Sequence, residues 1–237
     1  MKPTPDFVFK KFTVIQSKSS HKVGTDGVLV GAWADVTGCQ SILDVGTGSG
    51  LIALMIAQRT ASSVLIDAVE IQQPDVIQAK ENVLKSPWAN RIQIHHASLQ
   101  SFSPKQQYDL IISNPPFFRN SFKPTNDSRI TVRHTESLTF EDLITGAKRL
   151  LKPEGRLSII LPVSEAKLFI SQAGLSSLYL NRKCEVKSRT HKPVERYLLE
   201  FSFQVQVPDE ESLVLNDDHN IWSEAYQELT RDFYLKI

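Results

Sequence analysis

Four consecutive residues, Asn114-Pro115-Pro116-Phe117, carry the groups in this chain best suited to chemistry. They follow Asp109-Leu110-Ile111-Ile112-Ser113, an apolar and largely β-branched run of the kind that forms a strand buried on both faces of a parallel sheet. Neither proline has a backbone N–H, and each fixes its own φ. Pro115 also keeps Asn114 out of the helical region, so the chain should leave the sheet rigid and extended, with carbonyl oxygens aimed beyond the strand. Asn114 adds an amide that accepts and donates, and Phe117 an aromatic face for a planar group. The set suits a flat molecule bearing an NH2. Asn-Pro alone reads most simply as a strand-ending loop with a buried phenylalanine, but the full Asn-Pro-Pro-Phe after an Asp-led strand is more specific.

A second chemical feature lies upstream. Ser41 to Val45 reads as a strand that Gly46-Thr47-Gly48-Ser49-Gly50 turns into a helix over Leu51 to Arg59. Alternating glycines at a strand-to-helix turn let a ligand approach the backbone closely, and the helix N-terminus beyond favours a polar one. Glu70, 20 residues past Gly50 at the end of the next strand, suits a carboxylate that accepts hydrogen bonds from the two hydroxyls of a ribose. Gly48-x-Gly50-x-x-Ala53 also meets a loose dinucleotide fingerprint, so this turn alone leaves a nicotinamide or flavin enzyme open.

The elements that would position these residues alternate strand and helix. Strands are expected at Val64 to Val69, Arg91 to His95, Tyr108 to Ser113 and Arg156 to Leu161, and helices over Pro74 to Leu84, Thr139 to Leu151 and Ser164 to Ala173. This order predicts an α/β fold, a doubly wound Rossmann-like sheet that is mostly parallel. Gly46 to Gly50, Glu70, Ser98 and Asn114 then converge at the carboxyl ends of its strands. Leu178 to Val186 and Tyr197 to Val207 flank a basic loop, Lys187 to Pro193, and suggest a late antiparallel hairpin. Asp209-Glu210-Glu211 reads as a solvated turn, as does Lys152-Pro153-Glu154-Gly155. Before the sheet, Phe7 to Ile15 reads as a short hairpin arm, and Val23 to Gly27 leads into a helix through Trp33. There Thr25 or Asp26 either caps the helix or closes over a ligand. Ser223 is expected to cap a last helix with Tyr226, Leu229 and Phe233 on one face. The long polar segment from Phe118 to Ser137, with Arg119, Lys123, Arg133 and His134, reads as a lid.

Length and composition frame these features. The 237 residues fit a single domain with a short N-terminal extension, about 1–38, and 41% hydrophobic with 22% charged residues is ordinary for a globular protein. Cys39 and Cys184 show no metal-ligand spacing, and neither do His95, His96 and His191, so no metal site and a reducing compartment are expected. The first twelve residues hold no apolar run long enough for a signal segment or membrane span, which points to the cytoplasm. A net charge of +1 gives no global nucleic-acid signature.

Asp44-Val45-Gly46-Thr47-Gly48-Ser49-Gly50 resembles the first motif of class I S-adenosylmethionine-dependent methyltransferases, among which Asn-Pro-Pro-Phe marks enzymes that methylate planar or amide nitrogens. The resemblance extends to the bacterial tRNA(Val) adenine-37 N6-methyltransferase family through Lys22 to Trp33, Ser86-Pro87-Trp88, Arg133-His134-Thr135-Glu136 and Ser223-Glu224-Ala225-Tyr226, and so covers nearly the whole chain. It implies a monomeric cytoplasmic enzyme that uses S-adenosyl-L-methionine and acts on tRNA. In that reading Asn114, Pro115, Pro116 and Phe117 are catalytic. Thr25, Asp26, Asp44, Gly46, Gly48, Gly50, Glu70, Ser98, Leu99 and Asn114 hold the donor. Phe118, Arg119, Lys123, Arg133, His134, Arg189 and Lys192 meet the RNA. Many relatives carry Asp where this chain has Ser98, a weaker acceptor, which shifts donor recognition toward the backbone at Leu99. The rivals are a protein glutamine N5-methyltransferase and a ribosomal RNA guanine N2-methyltransferase, both of which usually carry an additional domain. A non-catalytic RNA-binding module would need no donor.

Overall fold

The computed structural model describes residues 5–20, 22–116 and 138–236. Ten strands and six helices are seen among them. A two-stranded antiparallel ribbon, β1 (Phe7–Val8) with β2 (Thr13–Val14), precedes helix α1 (Thr25–Trp33). The alternating units follow as β3 (Ser41–Val45), α2 (Leu51–Arg59), β4 (Leu65–Glu70), α3 (Gln73–Leu84), β5 (Ile92–His96) and β6 (Tyr108–Ser113). After the undescribed stretch come α4 (Phe140–Leu150), β7 (Leu151–Pro162), α5 (Val163–Leu175), β8 (Tyr179–Arg189), β9 (Arg196–Ser202), β10 (Asp209–Asn216) and α6 (Glu224–Thr230).

Strands β3 to β10 form one sheet in the order β10-β8-β9-β7-β6-β3-β4-β5. Only β9 runs against its neighbours β7 and β8, as the late-hairpin reading expects. The order reverses between β3 and β6, which puts a crevice beyond the carboxyl ends of these two strands. All five residues of β3 are buried, because helices cover both faces. Ile42, Leu110, Ile112 and Ile160 face a core shared with α1, α2 and α3, and Leu43, Val45, Ile111 and Ile159 face a core shared with α4 and α5.

The expected cap of α4 is present. Thr139 Oγ1 accepts from the Asp142 N–H at 3.0 Å, and Asp142 Oδ2 accepts from the Thr139 N–H at 3.0 Å. Ser223 Oγ likewise accepts from the Tyr226 N–H at 3.1 Å, with Tyr226 and Phe233 buried and Leu229 packed beside them.

Three stretches depart from the sequence expectation. Lys152 to Gly155 belong to β7, where the pairing slips between Tyr108 and Leu110, and Lys152 Nζ is anchored 2.8 Å from Asp109 Oδ1. Lys187 to Arg189 complete β8 instead of opening the basic loop. Asp209 to Glu211 begin an edge strand, β10, parallel to β8. Their charges are matched across the ladder, Glu210 to Lys183 at 3.0 Å and Glu211 to Arg182 at 3.5 Å, so a run that reads as solvated is compatible with pairing.

Candidate active site

The glycine turn at the end of β3 bends through the left-handed region, with φ of 71° at Gly46, 56° at Gly48 and 85° at Gly50. Side chains rarely adopt these angles, which is why glycines stand there. A Cβ at Gly46 or Gly48 would meet nothing within 4 Å, so this side of the turn is open, whereas one at Gly50 would sit 3.5 Å from Ala79 of α3.

Two carboxylates hold the turn. Asp44 is fully buried, and its Oδ2 accepts from Thr47 Oγ1 at 2.6 Å and from the Ala53 N–H at 3.1 Å. Its Oδ1 is buried without a hydrogen-bond partner. Burial pushes the Asp44 carboxyl up to about 7 despite those two bonds, and the nearby Glu70 charge adds to the rise. Glu70 Oε2 accepts from the Gly48 N–H at 3.0 Å, and its Oε1 accepts from the N–H groups of Ile71 at 2.8 Å and Gln72 at 2.9 Å. Three of about four lone-pair positions are therefore engaged with backbone.

Asn114 stands on the strand next to β3. Its Oδ1 is buried and has no hydrogen-bond partner, while Ser113 Oγ beside it donates to Val45 O at 2.8 Å. A buried amide oxygen with no acceptor duty costs on the order of 1–3 kcal/mol, a cost that a donor group on a ligand removes. Pro115 is buried and Pro116 exposed. The wall opposite Asn114 comes from α1, where a Cβ at Gly27 would lie 3.9 Å from Asn114 Nδ2 and 3.1 Å from Leu51 Cδ2.

Neither Thr25 nor Asp26 caps α1. The N-cap is Gly24, with no side-chain cap, and Asp26 lies in the first turn, where its Oδ2 accepts from Arg196 Nε at 2.9 Å. Ser98 uses its hydroxyl within its own loop, 2.9 Å from Ser101 Oγ and 3.2 Å from the Ser101 N–H it accepts. Leu99 is buried against Gly146 of α4. Arg189 bonds Asn220 Oδ1, and Lys192 is exposed at the tip between β8 and β9. Phe117, Phe118, Arg119, Lys123, Arg133 and His134, and the lid expected around them, lie outside the described residues.

Sequence reasoning passed over several residues that shape this crevice. Arg149 of α4 donates from Nη1 to Phe102 O at 2.7 Å and from Nη2 to Leu99 O at 2.8 Å, clamping the loop after β5. Asn82 of α3 donates to Ser49 O at 2.8 Å and to Ile15 O at 2.8 Å, joining the glycine turn to the N-terminal segment. Asp75 and Gln78 take the same segment at the Ser20 N–H, 2.9 Å, and the Lys18 N–H, 3.1 Å. The signal was available for these last three, since polar residues at 75, 78 and 82 share one helix face with apolar neighbours.

The Methyltransferase small domain model matches residues 24–191. Over 236 residues the chain is 44% identical to the tRNA1(Val) (adenine(37)-N6)-methyltransferase of Parabacteroides distasonis, covering 98% of this chain and 99% of that one. The chain belongs to the tRNA1(Val) (adenine(37)-N6)-methyltransferase family. The protein of that name from Pseudoalteromonas translucida is 42% identical over 231 residues, covering 98% of this chain and 99% of the other. Among solved structures, a predicted O-methyltransferase of Agrobacterium tumefaciens superposes with a TM-score of 0.68 at 18% identity, covering 88% of this chain and 96% of that one. The glycopeptide N-methyltransferase MtfA complexed with S-adenosyl-L-methionine gives 0.56 at 10% identity over 77% of this chain and all, 100%, of its own. The two superpositions extend the methyltransferase family's fold to distant sequences. Among the described residues, no helix is long and apolar enough to cross a membrane, and no group of three or more His, Cys, Asp or Glu is placed to hold a metal.

Proposed function

We propose that this chain transfers the methyl group of S-adenosyl-L-methionine to N6 of adenine 37 in tRNA1(Val), as a cytoplasmic monomer. The observation that carries the reading is the unpartnered Asn114 Oδ1, buried at the carboxyl edge one strand from an open glycine turn. Membership of a family whose named members act on that nucleotide supports the choice of base.

The residues present fit the donor. The open side of Gly46 and Gly48 admits a ligand against the backbone, Asp44 shapes the turn from below, and Glu70 closes the same turn from β4. Thr25, Asp26, Ser98 and Leu99 would complete its surroundings, with recognition of the base falling to the Leu99 backbone because the Ser98 hydroxyl is engaged in its own loop. When bound, the donor supplies an electrophilic methyl on a sulfonium.

An adenine amine is a poor nucleophile because its lone pair is delocalised into the ring. Asn114 Oδ1 and the Pro115 carbonyl each accept one of its N–H bonds, which favours a pyramidal nitrogen and aims the lone pair out of the ring plane. Alignment of this kind lowers a barrier by several kcal/mol, roughly 7–11 at its upper range. Unstacking the base costs a few kcal/mol, and stacking on Phe117 offsets roughly 1–3 of that. Phe118, Arg119, Lys123, Arg133, His134, Arg189 and Lys192 then serve the RNA around the flipped base. The test is transfer of labelled methyl to unmodified tRNA followed by nucleoside mass spectrometry. N6-methyladenosine is the expected product, and N5-methylglutamine in a release factor with unlabelled RNA would overturn the reading.

A further inference from the structure

We propose that Arg196 is a positioning residue for the Asn114 amide, acting through Asp26 and the first turn of α1. The inference rests on the reading of Asn114 as the acceptor of the substrate amine. Arg196 opens β9 and pairs in register with Pro162 at the end of β7, three residues past Ile159, which pairs with Ser113. The turn end of the β8–β9 hairpin therefore stands over the edge of the sheet where Asn114 leaves β6.

From there Arg196 Nε donates to Asp26 Oδ2 at 2.9 Å, and Nη1 donates to Glu195 O at 3.0 Å, which orients the guanidinium plane. Asp26 and Arg196 keep side-chain exposures of 23% and 32%, so the pair adds little to global stability. Its local effect is larger, because the N-cap of α1, Gly24, brings no capping side chain and the first turn needs another restraint. The next residue after Asp26 is Gly27, the wall residue against Asn114 Nδ2 and Leu51. Released from Arg196, the first turn of α1 moves relative to that amide.

The experiment uses the full chain with Arg196→Ala, Asp26→Ala, the double variant and Arg196→Lys. Three quantities are read: the single-turnover methyl transfer rate at saturating donor and tRNA, the tRNA Kd, and the Asn114 side-chain amide resonance in 15N-asparagine-labelled protein without ligands, assigned by its loss in Asn114→Asp. Each alanine variant should slow transfer by about tenfold, with the double variant no slower than either, since two residues of one joint are not additive. The tRNA Kd should stay within about twofold, the Asn114 resonance should shift in all three, and Arg196→Lys should recover part of the rate by keeping the charge. Additive losses, an unmoved Asn114 resonance, or a weakened Kd with an unchanged saturated rate would each overturn the proposal. Absence of methyl transfer by the unaltered protein would overturn the proposed function alone, and the resonance would still decide the joint.

Discussion

Glu70 Oε2 accepts the Gly48 N–H at 3.0 Å, and this bond ties the end of β4 to the glycine turn that ends β3. The carboxylate does so while its other oxygen gathers the Ile71 and Gln72 N–H groups. Glu70 thus braces the glycine turn, and in the proposed function it also meets the ribose of the donor, so two roles make distinct demands on a substitution.

Glu70→Ala leaves three backbone donors without their partner. Hydrogen bonds to a charged group are worth about 1.5–3 kcal/mol each, so a fall in melting temperature should accompany a donor affinity lowered by more than about tenfold. Titration calorimetry with the donor and a thermal melt check both. Glu70→Gln preserves the volume but turns an NH2 toward an N–H on one side, and it should retain more stability than affinity.

Asn114→Ala makes the opposite split. No intramolecular bond to Oδ1 is lost, so the fold and donor affinity should hold, while transfer falls by about 100-fold or more, the scale seen when one group aligned with a transition state is removed. Equal losses of donor affinity in Asn114→Ala and Glu70→Ala would contradict this division.

The loop after β5 should respond to changes on α4 that never touch a ligand. A Cβ at Gly146 would lie 2.6 Å from Leu99 Cδ2, so Gly146→Ala pushes the loop outward and should cost about 1–3 kcal/mol in stability. Arg149→Ala frees the Leu99 and Phe102 carbonyls and should raise the KM for the donor with kcat little changed. A change in kcat alone would show that the loop does not border the donor.

Asp44 predicts a pH dependence. Burial raises its carboxyl to about 7 in the folded state, so the folded protein holds a proton that the unfolded chain releases near the ordinary carboxylate value of 3.8. The resulting stabilisation is complete below that value and is lost as pH rises through about 7, on the order of 4 kcal/mol. Asp44→Asn should remove this component, seen as a smaller decline in denaturant midpoint between pH 5 and 8 than the unaltered chain shows. Identical profiles would contradict the assignment.

What the sequence disclosed follows from how local each signal is. The glycines at 46, 48 and 50 and the prolines at 115 and 116 constrain their own backbone, and the apolar run before Asn114 needs only its neighbours to be read as a strand. Arg149 meets Leu99 across 50 residues and Arg196 meets Asp26 across 170, and nothing in either stretch announces the other. Strand β10 was missed for the same reason, since its acidic start is compatible with a sheet only beside the Arg182 and Lys183 of β8. Neither Thr25 nor Asp26 caps α1, although both residue types favour that position, because the Asp26 carboxylate is taken by Arg196 from a distant part of the chain.

In the proposed function the Asn114 edge receives the amine of adenine 37. Unmodified tRNA1(Val) transcripts carrying adenine or guanine at position 37 can be incubated with labelled S-adenosyl-L-methionine and digested for position-resolved nucleoside mass spectrometry, alongside Asn114→Ala. N6-methyladenosine is expected at position 37 of the adenine transcript, none in the guanine transcript, and none above background with Asn114→Ala. Label at another nucleotide of both transcripts, or undiminished transfer by Asn114→Ala, would contradict it.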